Sequence, residues 1–211
     1  MAQDAAKLST ILSAAPVVPV IIHDDVETAR ALAEALVAGG LTNLEVTLRT
    51  PNALKVMAEM AKVPGAVVGS GTVRKKSDME ASVDAGCQFM VSPGAPVALL
   101  EAAADISIPL LPGIASPSEA MAASLLGYTY LKFFPAEAMG GAPVLKSFAS
   151  PLSDLIFCPT GGIDIEKAKT YLALPNVICV GGSWVVSADA IAARDFETIR
   201  KLAAEAAKLS A

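Results

Sequence analysis

Tyr128-Thr129-Tyr130-Leu131-Lys132-Phe133-Phe134-Pro135-Ala136-Glu137 is an aromatic and apolar run with a lysine at its centre. Burying an unpaired cation costs far more than one strand can return, so lysine is normally kept out of such runs. One interpretation is an edge-strand lysine whose stem packs while its ammonium reaches water. The other is a lysine in an apolar pocket, where a neutral amine can attack a carbonyl. The rest of the chain decides between these two interpretations.

Runs of this kind recur at intervals of roughly 20–26 residues, the length of a compact strand–helix unit with short loops. Amphipathic stretches lie between them, such as Val26–Ala38, which Gly39 and Gly40 end. The eight runs are Val17–Ile22, Asn43–Leu48, Ala66–Gly69, Phe89–Val91, Pro109–Leu111, Thr129–Phe133, Leu155–Cys158 and Val177–Val180.

Eight such units predict a (β/α)8 TIM barrel in one domain, residues 1–211, with an extra N-terminal helix from about Ala2 to Ala14. The competing fold is a doubly wound open sheet, which needs a glycine-rich turn after its first strand. The turn after Ile22 is His23-Asp24-Asp25 and contains no glycine. The barrel is therefore preferred, and its active site is expected at the carboxyl ends of the strands.

Several helix starts are marked by capping residues. Thr50-Pro51 predicts a cap followed by a proline at the first helical position. Ser116-Pro117-Ser118-Glu119 is a capping box. Asp164 is expected to open the seventh helix, and Phe196–Lys208 is predicted to be a closing amphipathic helix.

The composition excludes some classes of function. Hydrophobic residues make up 54% of the 211 residues, but the longest apolar runs fall short of the ~20 residues that span a membrane. The N-terminus lacks the basic region of a signal peptide, so the sequence predicts no membrane segment and no secretion. The net charge is −5 and no basic cluster occurs, which argues against nucleic acid as a partner.

Cysteine and histidine usage restricts the chemistry. Cys87, Cys158 and Cys179 occur singly, without a CxxC motif, which indicates reduced thiols in a cytoplasmic protein. The single histidine, His23, is predicted to be an exposed loop or cap residue. Catalytic zinc usually needs two or three histidines, so zinc chemistry is disfavoured, whereas carboxylates alone remain able to hold Mg²⁺.

The second run, Asn43-Leu44-Glu45-Val46-Thr47-Leu48-Arg49, alternates apolar and polar residues. In a sheet wrapped by helices the apolar residues pack under the helices, so Glu45 and Arg49 are expected to point into the barrel. A structural ion pair is one explanation of these charges. The functional explanation gives proton transfer to Glu45 and a bound carboxylate to Arg49.

In the sixth run Tyr128, Tyr130, Lys132 and Phe134 share one parity, which directs Lys132 to the same interior as Glu45. Aromatic neighbours are expected to desolvate the amine and to favour its neutral form.

Glycine pairs follow the last two runs, in Thr160-Gly161-Gly162-Ile163 and Val180-Gly181-Gly182-Ser183-Trp184. At this place in a barrel such turns present free N–H groups to a phosphate, which lets an acidic protein bind an anion through backbone dipoles. Trp184 is expected to pack rather than to contact a ligand.

Six segments together resemble the bacterial 2-keto-3-deoxy-6-phosphogluconate (KDPG) and 4-hydroxy-2-oxoglutarate (KHG) aldolases, in order through essentially the whole chain. They are Leu44–Thr50 (LEVTLRT), Val68–Val73 (VGSGTV), Val91–Gly94 (VSPG), Lys132–Glu137 (KFFPAE), Phe157–Ile163 (FCPTGGI) and Val180–Trp184 (VGGSW).

The resemblance implies a role for each matching residue. Lys132 is implied to form the Schiff base and Glu45 to act as general acid and base, without a metal or other cofactor. Arg49 and Thr72 are implied to bind the pyruvyl end, and Pro93 and Phe134 to line the site. The rest of the substrate and its phosphate fall to Thr160, Gly161, Gly162, Gly181, Gly182 and Ser183. The resemblance also implies a homotrimer in the Entner–Doudoroff pathway.

Ser70, where the family more often has alanine, and Ala95 are small departures that are expected at most to tune aldehyde preference. Rival hypotheses are an aldolase for the galactonate epimer, a sugar-phosphate isomerase or epimerase on the same barrel, and a non-catalytic phosphosugar-binding barrel.

Overall fold

The computed structural model describes residues 3–209. Within them the strands are β1 (Val17–Ile21), β2 (Asn43–Thr47), β3 (Val67–Gly71), β4 (Phe89–Val91), β5 (Leu110–Leu111), β6 (Gly113–Ile114), β7 (Tyr130–Phe133), β8 (Ile156–Pro159) and β9 (Val180–Gly182). The helices are α1 (Ala5–Leu12), α2 (Ala29–Ala38), α3 (Ala53–Met60), α4 (Lys76–Asp84), α5 (Val97–Ala103), α6 (Pro117–Leu125), α7 (Gly141–Phe148), α8 (Ile165–Leu172), α9 (Ala188–Ala192) and α10 (Phe196–Ala206).

All paired strands are parallel, and they form a curled sheet in an α/β fold. Six strands follow the order β5-β4-β3-β2-β1-β9, and β6-β7-β8 form a second set. The single bridges Phe157↔Val177 and Thr160↔Gly181 join the β8 segment to the β9 segment. The carboxyl ends of the strands therefore lie on one side of the sheet, and α1 precedes the first strand.

Each of the eight predicted runs overlaps a strand, but two of them differ clearly from the structure. The run Pro109–Leu111 continues after Pro112, which has no N–H to donate and separates β5 from β6. The eighth run, Val177–Val180, is predicted three residues too early in the chain, because β9 begins at Val180 and Val177 makes only an isolated bridge.

Two of the predicted capping arrangements are confirmed. The Ser116 hydroxyl accepts a hydrogen bond from the Glu119 N–H, and the Glu119 carboxylate accepts one from the Ala115 N–H. Asp164 accepts hydrogen bonds from the N–H groups of Glu166 and Lys167 at the start of α8.

Four other helices are shorter than predicted or begin later. The Thr50-Pro51 cap is wrong, since α3 begins at Ala53 and the Thr50 hydroxyl instead donates to the carbonyl of His23. Helix α2 begins at Ala29, three residues after the predicted Val26. Helix α1 begins at Ala5, and the predicted start at Ala2 lies outside the described residues. Helix α10 ends at Ala206 rather than Lys208.

Apolar side chains bury in two places. The larger outer core lies between the sheet and the helices and includes Leu44 and Val46. Trp184 packs against the edge of this core, as the sequence predicts. The smaller inner cluster lies within the curl of the sheet and is formed by α1 and inward-facing strand residues: Leu8, Ile11, Leu12, Val18, Phe89, Val91, Leu111, Cys158 and Cys179.

Helix α1 is fastened to the sheet by polar contacts as well as by apolar ones. The buried Asn43 amide donates to the carbonyl of Ile11. The Gln3 side chain donates to the carbonyls of Leu110 and Tyr130, at 2.7 and 3.1 Å, and so spans β5 and β7. These bonds satisfy backbone groups at strand ends, and they fix α1 across the amino ends of the strands.

Candidate active site

A lysine and a glutamate meet inside the curl of the sheet. Lys132 on β7 and Glu45 on β2 are 4% and 3% exposed, and Lys132 Nζ lies 3.2 Å from Glu45 Oε1. The Phe134 ring centroid lies 5.2 Å from the same Nζ, which is a cation–π distance. A lysine that reaches bulk water is thereby excluded. The predicted convergence of the two side chains is confirmed.

Glu45 needs a glycine on the neighbouring strand. Gly71 of β3 is the register partner of Thr47, and a Cβ atom at position 71 would overlap the Glu45 carboxylate. The glycine therefore creates the space in which the carboxylate lies beside Lys132. Ser70, between Gly69 and Gly71, has the opposite parity and faces away from Glu45, so any effect of Ser70 on aldehyde preference would be indirect.

Arg49 and Thr72 form a second pair at the rim. Arg49 lies beyond the end of β2 and is exposed, and its Nε donates to Thr72 Oγ1 at 3.0 Å. Thr72 has φ 63°, a left-handed conformation that is rare for a β-branched residue and that is found most often at functional sites. The strained backbone turns the Thr72 hydroxyl to the arginine.

A cavity of about 140 Å³ opens above Lys132 at the carboxyl ends of the strands. Its lining residues are Val20, Ile22, Arg49, Lys132, Phe134, Thr160, Gly161, Gly162, Ile163, Gly181, Gly182 and Ser183. Of the predicted substrate residues, only Thr72 and Pro93 do not line it. Pro93 packs its backbone against Gly113 of β6.

The turn Thr160–Ile163, which we call the Gly161 turn, closes one side of this cavity. Its carbonyls are held from behind: Thr160 O accepts from the Ala136 N–H at 2.8 Å, and Gly161 O from the Glu137 N–H at 3.1 Å. The Thr160 hydroxyl is buried and has no hydrogen-bond partner among the described residues. An unsatisfied hydroxyl beside a cavity is a ready donor or acceptor for a ligand.

Sequence reasoning missed three residues of the cavity wall: Val20, Ile22 and Ile163. The signal for two of them was present, since alternation along β1 places Val18, Val20 and Ile22 on one face. Ile22 is 52% exposed, an unusual position for isoleucine at the rim of a polar cavity.

Two sequence predictions for single residues are wrong. Tyr128 does not face the interior, because β7 begins at Tyr130; its ring belongs to the outer core and its hydroxyl donates to the carbonyl of Leu100. Burial raises the pKa of Tyr128 to about 12. His23 is buried rather than exposed, with Nε2 3.0 Å from the Thr28 hydroxyl.

Metal and membrane features can be stated for the described part of the chain. Residues 3–209 contain no cluster of three or more His, Cys, Asp or Glu side chains arranged for a metal ion. Over the same residues, every helix is too short or too polar to traverse a bilayer. The three cysteines are buried free thiols.

The chain matches known proteins along nearly its whole length. The family model described as KDPG and KHG aldolase matches residues 8–202. The KHG/KDPG aldolase of Escherichia coli (strain K12) is 50% identical over 198 residues, 93% of each chain.

Two solved structures share this fold and much of the sequence. KDPG aldolase from Legionella pneumophila, with pyruvate captured at low pH as a covalent carbinolamine intermediate, has 44% identity and a TM-score of 0.92, covering 95% of this chain and 98% of that chain. The Zymomonas mobilis ZM4 aldolase with 3-phosphoglycerate has 46% identity and a TM-score of 0.91, covering 96% of each chain.

A curled parallel sheet that buries an amine beside a carboxylate is the arrangement expected of a lyase that works through a covalent amine adduct. The matches supply the narrower assignment. The chain belongs to the KDPG and KHG aldolase family.

Proposed function

We propose that this chain is a class I aldolase that cleaves 2-keto-3-deoxy-6-phosphogluconate to pyruvate and glyceraldehyde 3-phosphate. We propose that it also cleaves 4-hydroxy-2-oxoglutarate to pyruvate and glyoxylate. The observation that carries the proposal is the Lys132–Glu45 pair, a buried nucleophile 3.2 Å from a carboxylate that can move protons. The names of the family and of its relatives agree with this chemistry.

Lys132 and Glu45 together can carry out each step of the cleavage. The free amine of Lys132 attacks the C2 ketone, and the hydroxyl of the resulting carbinolamine leaves as water to give a protonated imine. Glu45, directly or through one water, takes the proton from the C4 hydroxyl. The C3–C4 bond then breaks, its electrons pass into the imine, and the aldehyde leaves. Protonation at C3 and hydrolysis release pyruvate and restore the amine, so the imine is the electron sink and no cofactor is required.

The other predicted residues take binding roles in this proposal. Arg49 and Thr72 hold the carboxylate of the pyruvyl end, for which a guanidinium is well suited. Phe134, which lines the cavity, flanks the bound carbon chain. The C4–C6 portion and the phosphate meet Thr160, Gly161, Gly162, Gly181, Gly182 and Ser183, all of which line the cavity.

We further propose that the two sets of strands close as a (β/α)8 barrel in a single domain covering residues 1–211, with α1 as its extra N-terminal helix. The bridge Thr160↔Gly181 supports closure. We also propose a homotrimer that functions in the cytoplasm without a nucleic-acid partner. Met121 and Leu125 are 55% and 87% exposed and lie one turn apart on the same face of α6, and an exposed apolar pair of this kind supports self-association.

Release of pyruvate tests the function and separates its rivals. KDPG, its galactonate epimer and 4-hydroxy-2-oxoglutarate are supplied separately, and pyruvate is measured by a coupled dehydrogenase assay, with Lys132→Met as the inactive control. We expect the highest specific activity on KDPG and measurable activity on 4-hydroxy-2-oxoglutarate. Higher activity on the epimer would reassign the substrate. Conversion of a sugar phosphate without pyruvate would indicate an isomerase or epimerase, and binding without turnover a phosphosugar-binding barrel.

A further inference from the structure

Three side chains form a connected cluster behind the Gly161 turn, on the side away from the cavity. The Tyr171 hydroxyl donates to Glu137 Oε1 at 2.6 Å. Lys167 Nζ lies 3.2 Å from Glu137 Oε2 and donates to the carbonyl of Gly162 at 3.0 Å. We call Glu137, Lys167 and Tyr171 the bracing cluster. Within the described residues it joins the segment after Lys132, helix α8 and the turn itself.

The side chain of Glu137 in the bracing cluster packs closely against Gly162. Gly162 has φ +75°, and a Cβ atom placed there would lie 2.9 Å from Glu137 Cβ and 3.0 Å from Glu137 Cγ. The stem of Glu137 therefore occupies the space that any other residue at position 162 would need. Tyr171 is buried. Its burial, and to a smaller extent the neighbouring Glu137 carboxylate, raises the pKa of Tyr171, so its hydroxyl stays a donor to Glu137.

The direction of these bonds fixes the direction of two N–H groups. In a planar trans peptide the carbonyl and the N–H point opposite ways. The carbonyl of Gly161 is held by the Glu137 N–H, and that of Gly162 by the Lys167 ammonium. The N–H groups of Gly162 and Ile163 are thereby turned from the bracing cluster toward the cavity that both residues line. Donors held in place before the ligand arrives bind an anion without reorganisation.

An ordinary surface ion pair is the alternative explanation of Lys167, whose side chain is 46% exposed. Ion pairs at the surface contribute little to stability and do not hold a backbone group in a defined direction. Lys167 differs because its ammonium bonds a backbone carbonyl of the turn as well as Glu137, and because Glu137 is itself held by a buried tyrosine. A charge-assisted bond to a carbonyl is among the stronger hydrogen bonds in proteins.

We propose that Glu137, Lys167 and Tyr171 are positioning residues that aim the Gly161 turn at the phosphate of the substrate. The inference rests on the proposed function. According to this inference, binding of the phosphorylated end of the substrate depends on Lys167, whereas binding of the pyruvyl end does not. 4-Hydroxy-2-oxoglutarate has no phosphate and ends in a carboxylate at C5, nearer to the reacting carbons, so we expect its binding to depend less on the turn.

Lys167→Met tests the proposal, because it keeps the stem and removes the ammonium. We expect KM for KDPG to rise by about tenfold, from the loss of one charge-assisted bond. We expect kcat on KDPG, and both constants on 4-hydroxy-2-oxoglutarate, to stay within about twofold, since Lys132 and Glu45 are untouched. Lys167→Arg should restore part of the affinity. The matched control is Lys169→Met on the same helix, whose ammonium bonds only Glu166 among residues 3–209 and whose loss should change nothing.

The dissociation constant of inorganic phosphate, measured by calorimetry, gives a readout that does not depend on turnover. We expect Lys167→Met to weaken phosphate binding by about tenfold and Lys169→Met to leave it unchanged. Equal KM changes on both substrates, or unchanged phosphate binding in Lys167→Met, would overturn the inference while leaving the aldolase assignment intact. Wild-type protein that binds phosphate but releases no pyruvate would remove the proposed function instead.

Discussion

The inside of the sheet has two regions of opposite character. Toward the amino ends of the strands, the inner cluster is apolar, and Leu8, Ile11 and Leu12 of α1 close it. Toward the carboxyl ends the same curl of strands holds a buried ammonium and a buried carboxylate beneath an open cavity. Both regions are built from neighbouring positions of the same strands. Chemistry and stability are therefore separated along the strands rather than between domains.

Strand β2 illustrates the division. Asn43, at its start, donates to α1, whereas Glu45, two residues further, faces Lys132. A buried ion pair gives little net stability, because desolvation offsets the attraction of the charges. The apolar cluster below it provides burial energy and keeps water from approaching Lys132 from beneath. Mutations in the two regions should therefore have different consequences.

The largest expected effect comes from Glu45→Gln in the polar region. Loss of the proton acceptor should slow cleavage of KDPG by roughly 10²–10⁴-fold, the range for removal of a general base. Imine formation at Lys132 should persist, because the amine remains. Steady-state kinetics give the first quantity and reductive trapping with pyruvate the second.

Glu59→Gln is the control for this change, because Glu59 makes ion pairs with Arg30 and Lys62 at the surface. Its turnover should equal that of the wild type. Wild-type turnover in Glu45→Gln would remove Glu45 from the mechanism and leave the pair a structural one.

The second effect belongs to the apolar region. Leu12→Ala should lower the free energy of unfolding by about 2–5 kcal/mol, since Leu12 is 1% exposed and its truncation leaves a cavity. The kcat of the folded protein should stay near the wild-type value, because Leu12 does not touch the ion pair. Urea denaturation at fixed protein concentration measures the loss. Leu54→Ala, at a leucine that is 37% exposed on α3, should cost less. A kcat that collapses in Leu12→Ala would deny the separation of the two regions.

The smallest effect lies outside both regions, at His23. Burial lowers the pKa of His23 from 6.5, although Asp25 and Asp24 oppose the shift, and Arg194 pairs with Asp25. Just below pH 6.5 the unfolded chain binds a proton that the folded chain does not, so stability is present above that pH and lost as the pH falls.

Unfolding of the wild type and of His23→Asn between pH 7 and about 5 measures this contribution, because His23 is the single histidine of the chain. We expect the variant to show a shallower fall of unfolding free energy in this window. Identical slopes would mean that His23 titrates equally in the folded and unfolded chains.

Alternation along strands predicted the candidate site well where the strand limits were right. The inward prediction for Glu45 is confirmed because β2 begins at Asn43 as predicted, and that for Lys132 because β7 keeps the expected parity. Tyr128 failed because one parity was extended past the start of β7, where the chain is no longer pleated. The Gly161 turn was found from its glycine pair, whose position at the end of β8 is confirmed.

Contacts between distant segments were beyond the sequence. Lys167 is one of the two lysines on α8, and nothing in its local pattern distinguishes it from Lys169. Only the fold brings its ammonium to Glu137, which belongs to the segment after β7. The left-handed backbone of Thr72 is similarly invisible, because a β-branched residue gives no local signal for that conformation.

The central claim is that the buried amine of Lys132 forms an imine with a 2-keto acid. Incubation with pyruvate and borohydride, followed by peptide mass mapping, tests it most directly. We expect one stable reduced adduct, located on Lys132 and absent in Lys132→Ala. No adduct in the wild type, or an adduct that persists in Lys132→Ala, would contradict it.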